Sequence, residues 1–402
     1  MKTTTVIICL SAILAGFCTT ITAQERPAVE PTRAAAEITM AEKKPLIQMA
    51  ILLDTSGSMS GLIDQARAQL WAIVNEFIFA KRNNLQPELQ VALYEYGKNS
   101  VPPQNGYIRM IVPLTTDLDK ISEELFALKT NGGSEYCGWV IKDAAENLKW
   151  TDSPDDLKVI FIAGNEPFTQ GPVDYRHACK AAASKGVIVN TIHCGSETEG
   201  AKGKWKDGAL LADGRYLNIN HNQKTVHVAA PQDKQITELG IRLNDTYIGF
   251  GRLGRTNAQR QSTQDFNAAN ASKEAEVQRA VTKSSMYYQN YNWDLVDALN
   301  NNTIELENLK PEDLPEVMQN MTIEQREAYV HGRQKERAQI QKKIQQLNQQ
   351  RNKYLADEMK KLQGGQNTLG SAVIRAVRDQ AVKRNFRFKE NKEPRSNIEQ
   401  TD

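Results

Sequence analysis

Cysteine and histidine are scarce, five of each in 402 residues. Cys9 and Cys18 lie in an N-terminal apolar run, which leaves Cys137, Cys179 and Cys194 for the rest of the chain. Three cysteines permit at most one intramolecular bridge, and they lack zinc-finger spacing. Their other reading is as small buried hydrophobes. An excess of one charge sign is also missing: 50 Lys and Arg face 48 Asp and Glu, a formal net charge of +2. That balance gives no electrostatic reason to expect nucleic acid or an anionic membrane as the main partner. The GxGxxG fingerprint, the phosphate-binding GK[ST] loop, HExxH and the GxSxG elbow are all absent, which removes the commonest nucleotide, zinc-protease and serine-hydrolase readings. Beyond the N-terminus no run of about 18 apolar residues exists, so no stable membrane span is expected.

The N-terminus itself is informative. Met1 and Lys2 precede "VIICLSAILAGFC" and "TTITAQ". A short basic start, a brief apolar run and the small residue Ala23 read as a secretory signal over 1–23, which predicts export to the periplasm or the extracellular space. Phe17 stands before Cys18, where a lipid-anchor signal needs a small residue. Residues 24–44, polar with Pro27 and Pro31, read as a flexible lead-in.

From about Pro45 strands and helices alternate. "IQMAILLD", "KVIFIAG" and "GVIVNTIHCG" are continuous apolar runs, as strands covered on both faces require. "LQVALYEYG" and "YIRMIVPLT" are further strands, and "GRYLNIN" an edge strand. Helices are expected at "LIDQARAQLWAIVNEFIFAKR", at "TTDLDKISEELFALK" with Thr116 or Asp117 as cap, at "CGWVIKDAAENLKW", at "DYRHACKAAASKG" and at "QDKQITELGIRLNDTY". The alternation predicts a doubly wound, mainly parallel α/β sheet with helices on both faces over 45–248. Right-handed crossovers then limit the wiring. Ligands of such sheets sit at the carboxyl ends of the strands.

After Gly249 the texture changes. "GFGRLGRTNAQRQSTQDFNAANAS", rich in Gly, Asn and Gln, reads as a linker over 249–271. Residues 272–402 read as a helical extension. "TIEQ" at Thr322–Gln325 matches a capping box, and a helix over 322–362 would extend roughly 60 Å at 1.5 Å per residue. Ile340, Ile344 and Leu347 begin a coiled-coil-like seam that Arg351 interrupts. Such a helix either bridges solvent and awaits a partner, or lies along its own domain. "SAVIRAVRDQAVKRNFRFK" is basic and weakly amphipathic.

Chemistry concentrates at "AILLDTSGSMSG", residues 50–61. A buried strand ends in Asp54, and Ser56 and Ser58 follow at alternate positions. D-x-S-x-S offers one charged and two neutral oxygens, the donor type that magnesium takes. Gly57 permits the tight path. The structural alternative is that these groups cap the next helix and satisfy loop amides.

"ILLDTSGSMSG" resembles the metal-ion-dependent adhesion site of von Willebrand factor type A (VWA) domains, and the element order over 45–248 fits that family's fold. The resemblance covers about half the chain. It implies that Asp54, Ser56 and Ser58 form the first ion-binding loop and that "TNGGSEYCG" places Ser134 in the second, serine for threonine. The third loop of the family usually reads TDGEP; here it reads "AGNEP", with Gly164 in place of the aspartate. The implied ion is Mg2+, or Mn2+ or Ca2+. The missing carboxylate implies lower affinity or another ion set, with Glu135 or Glu166 as candidates to compensate. Family members mostly bind proteins, and in adhesive members the partner contributes an acidic side chain that completes the ion's shell. The expected function is therefore an exported, non-enzymatic protein-binding module whose partner presents an exposed carboxylate. The alternative is a structural scaffold with a degenerate ion site, acting through the long helix. An enzyme is disfavoured. Haloacid-dehalogenase-type phosphatases need a second aspartate where Ser56 stands. His193, at a strand end, has no evident partner, and Cys137, at a helix start, has no base.

Overall fold

The computed structural model describes residues 44–222, 228–361 and 369–388. The signal, most of the lead-in, the tail after Phe388 and the last residue assigned to the long helix lie outside them. The strands are β1 Leu46–Asp54, β2 Ala80–Lys81, β3 Glu88–Tyr96, β4 Ile108–Thr115, β5 Leu157–Gly164, β6 Ile188–Cys194, β7 Tyr216–Ile219 and β8 Arg387–Phe388. The helices of the first half are α1 Ser60–Glu76, α2 Leu118–Ala127, α3 Cys137–Asn147, α4 Tyr175–Ser184, α5 Glu197–Lys202, α6 Trp205–Leu210 and α7 Asp233–Asn244. The second half holds α8 Gly251–Ala271, α9 Lys273–Lys283, α10 Leu295–Asn300, α11 Glu316–Gln319, α12 Ile323–Lys361 and α13 Leu369–Lys383.

Among the described residues six strands form the main sheet in the order β4-β3-β1-β5-β6-β7. All pairs are parallel except β3 with β4, an antiparallel edge. β1 is central, which is why its apolar run is unbroken: Met49 and Leu53 point into one core layer, Ala50 and Leu52 into the other. Helices α1, α2, α9 and α13 cover the first face, and α3 and α4 the second. The order turns at β1, where one neighbour precedes α3 in the chain and the other follows it, so the loops after β1 and β5 diverge around a crevice at the sheet's carboxyl edge.

The stretch 249–271 departs from the linker expected there. It is the helix α8, and its buried face is polar: Asn257, Gln261 and Gln264 lie with Gly254 and Ala268. The Ser122 hydroxyl donates to Gln264 Oε1 at 2.8 Å, which seats α8 on α2. The helical second half is no separate spacer. Leu369, Val373, Ala376 and Val377 of α13 share the core of Leu70, Ile73 and Phe161. α12 buries Ile340, Ile344 and Leu347 against Ile236 and Leu243 of α7 and Val277 and Val281 of α9. Its start carries the capping box, the Thr322 amide donating to Gln325 Oε1 at 2.9 Å. Arg351, fully buried, ends the apolar stripe by pairing with Asp233 and Glu274. The long helix thus lies along its own domain. Among the described residues no helix is long and apolar enough to cross a membrane.

Candidate metal centre

Three loops meet at the carboxyl ends of β1, β3 and β5. In the first, Asp54 closes β1 fully buried, and its Oδ1 accepts the Ser56 amide at 2.7 Å in an Asx turn. Ser56 is buried and Ser58 exposed. The N-cap of α1 is Met59 and makes no side-chain cap bond, so neither serine serves as the helix cap. The Thr55 amide donates to Tyr96 O at 2.9 Å, which fixes the turn against β3.

The second loop lies across the first. Asn131 N donates to Thr55 O at 2.9 Å, and Asn99 N to Gly132 O at 2.8 Å. Ser134, half-buried, and Glu135, buried, continue this loop into α3. Gly97, at φ +79°, brings it close. A Cβ there would stand 2.9 Å from both Asp54 Oδ1 and Glu135 Cγ, so only glycine lets the two carboxylates flank this point.

The third loop follows β5. The Asn165 amide group reaches Ser58 Oγ at 3.4 Å, and Gln170 joins loops two and three, accepting from Glu135 N at 3.2 Å and donating to Glu166 at 3.3 Å. At Gly164 the space for a side chain is already taken. A Cβ would meet Tyr96 Oη at 2.4 Å and Asp54 Oδ2 at 3.0 Å. Tyr96 is buried and donates to Ala163 O at 2.9 Å. The glycine and the tyrosine are therefore complementary, and an aspartate cannot simply be restored at 164. Gly164→Ala alone should lose roughly 1–3 kcal/mol in denaturant melts through overpacking, and Tyr96→Phe in the same chain should recover part of that loss.

Two oxygens at this junction have no hydrogen-bond partner although buried, Asp54 Oδ2 and Ser56 Oγ; Asn165 Oδ1 is a third. Burial, only partly offset by the Ser56 amide and by the Ser56 hydroxyl, which lies near the carboxylate without a formed hydrogen bond, and reinforced by the Glu166 charge, raises the Asp54 carboxyl to about 7. Burial also raises Glu135 to about 7, with the charges of Asp54 and Glu166 adding to it. Two acids with so little neutralisation are suited to a hard cation, and magnesium takes one or two carboxylates from a protein with hydroxyls or water completing its shell. Among the described residues no group of three or more His, Cys, Asp or Glu side chains is arranged as a metal cluster. The donors present are instead two carboxylates with hydroxyls, and the unpartnered Asp54 and Ser56 oxygens fit an oxygen-loving ion.

The other expected reactive groups are placed differently. Cys137, Cys179 and Cys194 are all free and buried. Burial, with Asp54 nearby, holds the Cys137 thiol well above its usual range. His193 packs by Trp205, its Nε2 3.2 Å from Asn165 O, and burial lowers its pKa.

No family model matches the chain, and neither does any curated protein. Solved structures do. The SpRpn10 VWA domain is 20% identical, with 45% of this chain and 100% of that one covered and a TM-score of 0.33. BatB from Bacteroides thetaiotaomicron, a conserved hypothetical protein, is 16% identical over 54% of this chain and 98% of its own, with a TM-score of 0.33. An aerotolerance-related membrane protein from Bacteroides fragilis is 18% identical over 44% and 93%, with a TM-score of 0.30. The α/β half of this chain has the doubly wound, mainly parallel sheet expected from its sequence. In that half the first-loop residues Asp54, Ser56 and Ser58 stand at the end of the central strand and the Ser134 loop is tied to them through Thr55. Glu135, one of two compensating acids left open by the sequence, is the one that shares Gly97 with Asp54. Its signal in the sequence was its place directly after the second-loop hydroxyl.

Proposed function

We propose that the protein is an exported, non-enzymatic binding module in which Asp54, Ser56, Ser58 and Ser134, with Glu135 as second carboxylate, hold a divalent cation that engages a partner protein. Mg2+ is the expected ion, with Mn2+ or Ca2+ as substitutes. The observation that carries the reading is the pair of buried, unpartnered oxygens on Asp54 and Ser56, since a buried polar atom without a partner costs about 1–3 kcal/mol and persists where something else binds it. A cation at the mouth of the crevice, held by few protein charges, attracts a carboxylate from a partner surface. The scaffold alternative gains no support from α12, whose apolar residues are spent on α7 and α9.

Calorimetric titration of Mg2+ and Mn2+ tests the site. Wild type should bind one ion, Asp54→Ala should show no binding, and Glu135→Gln should bind about tenfold or more weakly, equivalent to at least ~1.4 kcal/mol. Absence of binding in wild type refutes the proposal. Partner capture from an envelope fraction should require the ion and be lost on chelation.

A further inference from the structure

The opposite end of the sheet carries a second polar feature, of the other sign. Lys158 is the second residue of β5 and Gly164 the last, so about 20 Å of strand separates the two ends at the parallel-strand rise. Around Lys158 a cavity of about 560 Å³ opens between the end of α3, the end of α4 and the turn after α13. Its cationic lining is Lys149, Lys158, Lys185 and Arg384, and its acidic lining Asp152. Leu148 and the half-buried Trp150, pinned by its indole N–H on Ala144 O at 3.0 Å, supply an apolar wall.

Among the described residues none of these four cations forms an ion pair. Three are held in place by backbone carbonyls instead. Lys158 Nζ donates to Thr151 O at 2.9 Å, Lys185 Nζ to Ala145 O at 2.9 Å, and Arg384 to Pro154 O at 2.6 Å. Lys158 is the decisive residue because it is buried, 5% exposed. Lysine is almost never buried unless paired, and a buried charge without a counter-charge destabilises the fold. One carbonyl bond satisfies one of its three N–H groups; Asp152 and Asp156 lie near enough to favour the charged form, but Asp156 pairs with Arg82 and neither acid bonds to Lys158.

We propose that this cavity is a binding site for a small, multiply charged phosphate compound, which supplies the direct ion pair that Lys158 lacks. The imbalance of four cations against one acid favours a ligand of more than one negative charge. Lysine ammoniums bind phosphate as point charges, and the arginine adds directional donors. The size suits a small molecule, since ligand cavities span about 300–1,000 Å³. Burial, with the Arg384 charge adding to it, lowers the Lys158 pKa against the opposing pull of Asp152 and Asp156. The site is independent of the cation centre, in position and in sign.

Inorganic pyrophosphate is the probe, titrated calorimetrically into the full chain. Wild type should bind it, more weakly as salt is raised. Lys158→Met should weaken binding by about tenfold or more while the ligand-free protein melts no lower than wild type, because a buried ammonium without a direct ion pair has been removed. Lys185→Gln, at an exposed position, should weaken binding without touching the fold, and Asp54→Ala should leave it unchanged. Absence of binding at millimolar pyrophosphate, or undiminished binding in both lysine variants, overturns the proposal. Loss of pyrophosphate binding in Asp54→Ala would also overturn it, by showing that one site serves both ligands.

Discussion

Asp54→Asn should make the chelated protein more stable at neutral pH while abolishing its response to magnesium. The side chain keeps its shape and can still accept the Ser56 amide bond through its carbonyl oxygen, but the buried charge is gone. The native Asp54 carboxyl, raised from 3.8 to about 7, binds its proton more tightly folded than unfolded. Without the ion, its contribution is therefore most favourable below about pH 4 and is lost as pH rises towards 7; above that it stays lost. Glu135 runs in the same direction. A shift of about three units corresponds to ~4 kcal/mol at most. Thermal melts in EDTA should show wild type falling in stability between pH 4 and 7 and Asp54→Asn falling less, so that the variant melts higher at pH 7.5. Added Mg2+ should raise the wild-type midpoint and leave the variant unmoved. A variant that melts lower than wild type in EDTA at that pH would mean that Asp54 is structurally paired and that its burial serves no ion.

How much of this was legible in the sequence depends on how each element is stabilised. β1, β5 and β6 are buried on both faces, so their sequences are continuous apolar runs that leave little choice. Helix α2 announced itself through Asp117, whose carboxylate accepts the Lys120 amide at 3.0 Å. Helix α8 was hidden for the opposite reason: its buried stripe of Gly254, Asn257, Gln261 and Gln264 is polar, with Gln264 bonded to Ser122, and a search for apolar periodicity sees nothing there. The same applies to Arg351, which breaks the stripe of α12 by composition yet is buried, its charge met by Asp233 and Glu274 from two other helices. Such partners come from tertiary placement, which no local pattern reports.

The candidate centre divides likewise. Asp54 and its serines form a local motif and were readable; the pairing of Asp54 with Glu135 depends on a left-handed glycine at 97 and on the loop registry of three strands. The loss of an acid at 164 was visible in sequence. Its reason was not, because Tyr96 is 68 residues away and reaches position 164 only through the sheet, across β1 from two strands over.

The largest stability effect should come from Arg279→Ala. Arg279 lies fully buried on α9 and joins the two halves of the chain. Its guanidinium binds Asp119 of α2, Asp265 of α8 at 2.8 Å and the Tyr288 hydroxyl at 3.2 Å, and it lies over the Trp71 ring of α1, 4.5 Å from the centroid. Tyr288 in turn donates to Asp119 at 2.6 Å, and Lys283 pairs with Asp265 at 2.6 Å. Removing the arginine leaves Asp119 buried with one neutral donor, and breaking a buried pair in this way costs about 3–5 kcal/mol. Burial pushes the Asp265 carboxyl up, but Lys283 and Arg279 outweigh it and hold it at about 2. The depressed value means that its contribution is present in full above about pH 4 and disappears as pH falls towards 2. Urea melts at pH 7 should show Arg279→Ala losing most of its margin, and the deficit relative to wild type should shrink as the pH is lowered from 4 to 2. If the network only decorates a seam held by apolar contacts, the variant will lose less than about 1 kcal/mol, the value typical of exposed pairs, at every pH. Such a result would place the bond between the α/β half and the helical half in the α13 and α12 contacts alone.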